Sequence, residues 1–148
     1  MVAAVPVTDE TLEIANRLRP VLLHINRHLR REANTHGTSA GQISILSAIQ
    51  DRPGIGVAEL AAREGVSSPS ISTHVDRLEA AGYVSRVRES DGDRRRVGLA
   101  ATPAGARLLR AVRTRRTAWL AARLEALDPG DRARIADALD ALAGLVKR

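Results

Sequence analysis

The chain has 148 residues, enough for one domain with a real core and short of two. Lysine and arginine total 23 against 17 aspartates and glutamates, a formal net charge of +6 that suits a polyanionic partner, and Lys147 is the one lysine. The absence of cysteine excludes a disulfide scaffold, a thiolate metal site and a thiol redox sensor; Tyr83 and Trp119, alone in their classes, are too few for the stacking platforms of single-strand and RNA readers.

Met1 to Val7 reads as a loose tail. The opening MVAAVPVTDE has neither a basic end nor a long apolar run, so no leader or membrane span is expected and cytoplasmic residence is. Thr8 or Asp9 can cap a first helix in which Leu12, Ala15, Leu18, Leu22, Ile25 and Leu29 follow three- and four-residue steps. Pro20 is expected to interrupt this helix with a kink. His24 and His28 stand at i, i+4, a spacing that can bind a metal. No cysteine or acidic neighbour supplies a third ligand at the right step, so no metal site is expected.

Asn34 to Gly37 reads as a turn, after which Ser39 caps a second helix and Gln42 completes a capping box. Ile43, Leu46 and Ile49 are its apolar positions; Asp51-Arg52-Pro53-Gly54 ends it, and Ile55 can add a short strand to a later sheet. Val57 to Glu64 then forms a short helix with Leu60 and Ala61 apolar and Gly65 placed to end it. In Ser67-Ser68-Pro69, Ser68 suits the N-cap of the next helix and Pro69 its first position. Ile71, Val75 and Leu78 recur at i, i+4 and i+7 as one buried stripe, and Gly82 stops the helix after Ala81. Two helices joined so tightly make a helix-turn-helix, whose second helix can enter a DNA major groove. Ser70, Thr73, His74 and Arg77 share the face turned away from that stripe, and each carries a hydrogen-bond donor.

From Tyr83 to Arg88 the period changes to two, with Val84 out of phase with Val87; Val97 and Leu99 share a face of a returning strand. Between them Ser90-Asp91-Gly92-Asp93 is a hairpin signal followed at once by Arg94, Arg95 and Arg96. A hairpin tipped with arginines directly after a helix-turn-helix is a wing, and a wing arginine can enter the narrow minor groove beside the helix. Gly98 is expected to weaken the return strand locally.

Thr102 and Pro103 open what reads as the longest helix, with Leu108, Leu109, Val112, Trp119, Leu120, Leu124 and Leu127 as a broad apolar surface. Its Arg110, Arg113, Arg115 and Arg116 read as a solvated face. Asp128-Pro129 starts a last helix carrying Ile135, Leu139, Leu142, Leu145 and Val146. The expected fold is mainly α with a small β-wing: a winged helix-turn-helix core over about 38–101, flanked by helices over about 8–34 and 102–147, all in one domain over 1–148. The core cannot cover these flanking helices alone, so they are expected to pair across a two-fold homodimer axis.

The run VSSPSISTHVDRLEAAGYVSRVRESDGDRRRVGLAATPAG resembles the winged helix of the MarR family of bacterial regulators. The resemblance is carried by Val75 to Glu79, Gly82, Val84, Asp91, Asp93, Arg94, Arg95, Thr102 and Gly105, within about residues 38–105. It implies a homodimeric transcription regulator, commonly a repressor, that binds a near-palindromic double-stranded operator and releases it on meeting a small aromatic or phenolic effector. DNA contacts are expected from Ser68, Ser70, Ser72, Thr73, His74, Arg77, Asp93, Arg94 and Arg95. In that set Ser68 and Ser70 meet phosphates, Thr73, His74 and Arg77 face base edges or backbone, and Asp93 holds an arginine of the wing. Thr73 sits where many members have arginine. By the same resemblance a ligand cavity between the flanking helices and the core involves His24, His28, Arg86 and Trp119.

An enzyme is not expected. The sequence has no glycine-rich phosphate loop, H-E-x-x-H, G-x-S-x-G or cysteine nucleophile, and nothing in it asks for a cofactor. The competing reading is a winged-helix protein-interaction module, which calls for an apolar face where Ser70, Thr73, His74 and Arg77 stand and has no need of wing arginines.

Overall fold

The computed structural model describes residues 7–34, 37–88 and 97–146. In chain order these form α1 (Asp9–Ala33), α2 (Ala40–Asp51), α3 (Val57–Glu64), α4 (Ser68–Ala80), β1 (Val84–Arg88), β2 (Val97–Ala101), α5 (Pro103–Glu125) and α6 (Pro129–Gly144). The fold is that of a winged helix-turn-helix with long helices on either side.

Local side-chain chemistry sets most of the helix starts. The Thr8 hydroxyl accepts from the Thr11 amide at 3.2 Å. Ser39 Oγ accepts from the Gln42 amide at 3.2 Å while Gln42 Oε1 accepts from the Ser39 amide at 2.7 Å, the reciprocal pair expected of a capping box. Thr102 caps α5 through the Gly105 amide, and Asp128 caps α6 through Gly130 and Asp131. Pro20 does not interrupt α1: the helix runs unbroken through it, and at 25 residues it exceeds the 23 of α5. The proline removes one backbone bond at an exposed position, and packing of α1 against α5 supports the turns that follow.

The core centres on α2, which touches α1, α3, α4, α5 and β2. Ile43, Leu46 and Ile49 from α2 meet Leu60, Ile71, Val75, Leu78, Leu99 and Val112, all essentially inaccessible to solvent. Each such side chain contributes about 1.5–3 kcal/mol of burial, so this cluster is what fixes α3 and α4 relative to one another.

The sheet is a two-stranded antiparallel ladder running from Val84 opposite Ala101 to Arg88 opposite Val97. Ile55 adds a bridge on the far edge of β2: the Gly54 amide donates to the Leu99 carbonyl at 2.8 Å and the Leu99 amide to the Ile55 carbonyl at 3.0 Å. This contact corrects the expectation for Gly98. A Cβ there would stand 2.7 Å from the Gly54 carbonyl oxygen, so the glycine admits the α2–α3 turn against the strand rather than weakening it. Val84 is buried and Val87 half exposed, as the alternation requires. Leu99 is buried while Val97, on the same face, lies beyond the core and is 38% exposed.

The start of α5 is locked to the end of α4. The Thr102 hydroxyl donates to the Gly82 carbonyl at 2.6 Å, and the Thr102 amide donates to the Tyr83 carbonyl at 2.9 Å. Gly105 is buried directly over that carbonyl, where a Cβ would lie 2.3 Å from the oxygen. Thr-x-x-Gly is thus a docking device between two helices. By contrast α6 buries no residue and α1 buries only Ala33; Leu12, Ile14, Leu23, Leu139 and Leu145 are each at least half exposed.

Candidate nucleic-acid interface

Leu60 and Ala61 seat α3, and Ile71, Val75 and Leu78 seat α4, so the opposite side of α4 faces outward. Ser68, Ser70, Thr73 and Arg77 are exposed there and Ser72 is half-buried. The helix begins one residue earlier than expected: Ser67, not Ser68, is the N-cap, which puts Pro69 at the second helical position. The serine run offers two adjacent candidates, and the backbone of Ser67 takes the extended conformation required of the cap. Ser67 makes no side-chain cap bond. The first amides of α4 therefore lack an internal acceptor and form an anion-favouring end, with Ser68 and Ser70 beside them.

Two members of the expected set behave differently. The Thr73 hydroxyl donates to the Pro69 carbonyl at 3.0 Å, a bond that holds its rotamer along the helix. His74 is half-buried rather than fully outward: its Nδ1 is shielded from solvent without a hydrogen-bond partner, and Cε1 approaches Gly41 at the start of α2. His74 sits on the boundary between the open face and the core, so its ring spans both. Arg77 makes no salt bridge among the described residues. Asp93, Arg94 and Arg95, the expected wing contacts, lie outside the described residues.

Arg86 departs from the expected ligand set altogether. From β1 its Nε donates to Glu79 at 2.9 Å and its Nη2 to Asp76 at 2.6 Å, both on α4. The hydrogen bond to Glu79, with the neighbouring charge of Asp76, raises the guanidinium further above its ordinary value. This fork ties the sheet to the helix that carries the open face, a role not expected from the sequence. The carboxylates at positions 76 and 79, three apart on one helix, were its sequence signal.

His24, His28 and Trp119 do come together, between α1 and α5: the two histidine rings meet edge-on at 4.8 Å and His28 stacks on Trp119 at 5.1 Å. Desolvation, then the adjoining His24, Arg31, Arg123 and Arg27, hold His28 below the ordinary imidazole value. These residues do not line the cleft formed where α1, α2 and α5 meet. That cleft, about 450 Å³, opens between α1, α2 and α5 and is walled by Leu109, Val112, Arg30, Arg113, Arg116 and Asp51 among others. Arg116 is half-buried, its Nε donating to the Leu29 carbonyl at 3.2 Å, and burial together with Arg30 lowers its affinity for its proton. Of the four arginines expected on a solvated face of α5, Arg110, Arg113 and Arg115 are exposed and Arg116 departs. Arg113 and Arg116 line the cleft, while Arg115 pairs with Glu32 at 3.4 Å. The sequence signal for the cleft was the spacing of Arg113 and Arg116, three apart on α5.

Comparison with known proteins agrees with this geometry. Residues 36–96 match the model of the MarR family. Over 138 residues the chain is 30% identical to an uncharacterised helix-turn-helix-type transcriptional regulator of Mycobacterium bovis, covering 93% of this chain and 96% of that one; a regulator of Mycobacterium tuberculosis matches equally. Among solved structures, a provisionally assigned transcriptional regulator of Pseudomonas aeruginosa superposes with a TM-score of 0.81 at 29% identity, covering 95% of this chain and 99% of that one. A MarR family protein of Bacillus stearothermophilus has the same fold, with a TM-score of 0.78 at 21% identity over 97% of this chain and all of the other. No helix among the described residues is long and apolar enough to cross a membrane.

Proposed function

Because the chain belongs to the MarR family of transcriptional regulators, we propose that it is a homodimeric repressor, acting in the cytoplasm on a near-palindromic operator and released by a small effector. The observation that carries this reading is the outer side of α4: exposed Ser68, Ser70, Thr73 and Arg77 around an uncapped helix start, with none of the large apolar residues a protein-docking face requires. Ser68, Ser70 and the first amides of α4 bind phosphate, Thr73, His74 and Arg77 read the major groove, with Ser72 beside them, and Arg94 and Arg95, steadied by Asp93, enter the minor groove.

The exposed leucines and isoleucines of α1 and α6 support pairing of two copies through these helices. A two-fold dimer sets its two α4 helices about 34 Å apart, one turn of DNA. The cleft supports an anionic aromatic effector: its apolar wall suits a ring, and the partly buried guanidinium of Arg116, beside Arg30 and Arg113, is relieved by a carboxylate or phenolate. The cleft lies between α2, which supports α4, and the flanking helices, so filling it alters the spacing of the two α4 helices.

The test is binding to the DNA upstream of the protein's own gene, measured by fluorescence anisotropy across a salt series. Tight binding with a steep salt slope is expected, with Arg77→Ala weakening it and Arg94→Ala/Arg95→Ala reducing the slope by about 0.9 for each phosphate that the variant leaves unneutralised. Weak, sequence-independent binding that neither variant changes would overturn the reading in favour of a protein-interaction module.

A further inference from the structure

His24 and His28 sit one turn apart on α1 with their Nε2 atoms 3.2 Å from each other. That separation closes a hydrogen bond between the two rings, and it is also the span of two imidazoles on one metal ion. At metal–nitrogen distances near 2.0–2.1 Å, two ligands subtending a tetrahedral angle stand about 3.3 Å apart, and two at a right angle about 2.9 Å. The two nitrogens already stand at the separation that an ion held between them requires. His28 is braced from the other side by Trp119, stacked at 5.1 Å with the planes 15° apart, so one half of the pair is already ordered by packing.

We propose that His24 and His28 form a two-imidazole site for a borderline transition-metal ion, Cu(II) first and Ni(II) and Zn(II) more weakly, with water in the remaining positions. The ring that donates in the metal-free pair moves its proton from Nε2 to Nδ1, leaving both Nε2 lone pairs for the ion and releasing no proton. No third histidine, aspartate or glutamate joins the pair among the described residues. Arg27, Arg31 and Arg123 stand close to His28. A site so placed does not attract hard cations by charge; it selects by imidazole bonding, which favours Cu(II) at the top of the divalent series and excludes Mg(II) and Ca(II). The ion is exchangeable, in keeping with two protein ligands rather than the closed set of four of a structural site.

Trp119 is the one tryptophan and lies against one ligand, so its emission reports on the site directly. The tag-free full chain, stripped with chelator, is titrated with CuCl2 while Trp119 fluorescence and heat are followed in parallel. Saturable quenching at one ion per chain is expected from Cu(II), with none from Mg(II). His24→Ala removes the exposed ring and leaves the His28–Trp119 stack in place. It should raise the Cu(II) dissociation constant by more than the roughly tenfold cost of losing even an outer-shell partner. His36→Ala/His74→Ala, which removes the other two histidines, should leave the titration unchanged. Absence of saturable uptake by the wild-type chain, or uptake retained in His24→Ala at unchanged affinity, would overturn the proposal; circular dichroism confirms that each variant keeps its helices.

Discussion

The guanidinium of Arg86, on β1, donates to the carboxylate of Asp76, on α4, across 2.6 Å, while its other edge holds Glu79 at 2.9 Å. One strand residue thereby ties the sheet to the helix whose outer face is the proposed DNA contact. The pair is partly solvated, with the Arg86 side chain 38% exposed, so its worth to global stability is small, about 1 kcal/mol or less. Its worth to orientation is larger, because a fork grips two carboxylates in fixed geometry where an ammonium cannot. Arg86→Ala should therefore barely move the denaturation midpoint yet weaken operator binding several-fold, and Arg86→Lys should recover only part of it. Loss of stability in proportion to loss of binding would show that the fork merely holds the fold together.

Thr8, Ser39 and Thr102 are legible as caps because a cap is a bond to an amide two or three residues on, and spacing of that kind is written in the chain. The buried stripe Ile71–Val75–Leu78 is legible for the same reason. Contacts between distant segments are not. Gly98 looks like a flaw in a strand until Gly54 is placed against it, Arg86 looks like a pocket residue until Asp76 and Glu79 close on it, and the outward face of α4 loses part of His74 to a neighbouring helix. The cleft has the same history: Arg116 reads as wetted charge until the Leu29 carbonyl of α1 accepts from its Nε.

Gly105 tests how tightly α5 is docked. A methyl group there would meet the Tyr83 carbonyl oxygen at 2.3 Å, and that carbonyl already accepts from the Thr102 amide, so neither side can give way cheaply. Gly105→Ala should cost about 1–3 kcal/mol, the usual penalty of overpacking, and lower the melting temperature by roughly 3–10 °C. Gly144, in the last turn of α6, has nothing within 4 Å of its would-be Cβ, and there alanine should be neutral or stabilising by about 0.5–1 kcal/mol. The melting curve of Gly105→Ala should thus move down while that of Gly144→Ala stays in place or moves up.

Asp128 gives a pH dependence with a definite sign. As the cap of α6 it accepts from the Gly130 and Asp131 amides at 2.8 and 3.0 Å, and the bonds to Asp131 foremost hold its carboxyl below the ordinary 3.8. The folded chain thus binds this proton less readily than the unfolded one. The stabilisation is complete above the ordinary value and is lost as pH falls through the lower, folded one. An NMR titration should show the Gly130 and Asp131 amides shifting with a midpoint below 3.8. Asp128→Ala should lower the melting temperature at neutral pH, and the difference from wild type should shrink as the medium is acidified past that midpoint.

The apolar residues left on α1 and α6 provide the remaining prediction. Ile14, Leu23 and Leu139 are each nearly 60% exposed in a single chain, and α6 buries nothing. A lone surface leucine is ordinary, but two helices with leucine and isoleucine turned outward make a patch that a soluble monomer rarely keeps. If two copies cover it, Leu139→Glu places a charge in an apolar interface; if the chain is monomeric, the same change merely wets an exposed position. Sedimentation equilibrium at micromolar concentration should return twice the chain mass for the wild type and the single mass for Leu139→Glu. The melting temperature should rise with protein concentration only in the wild type, by mass action. Operator binding should fall with the dimer, because one α4 reads one half-site and the second half-site then adds nothing. A wild-type chain that sediments as a monomer, with Leu139→Glu binding DNA as well as it does, would place the function in a single chain.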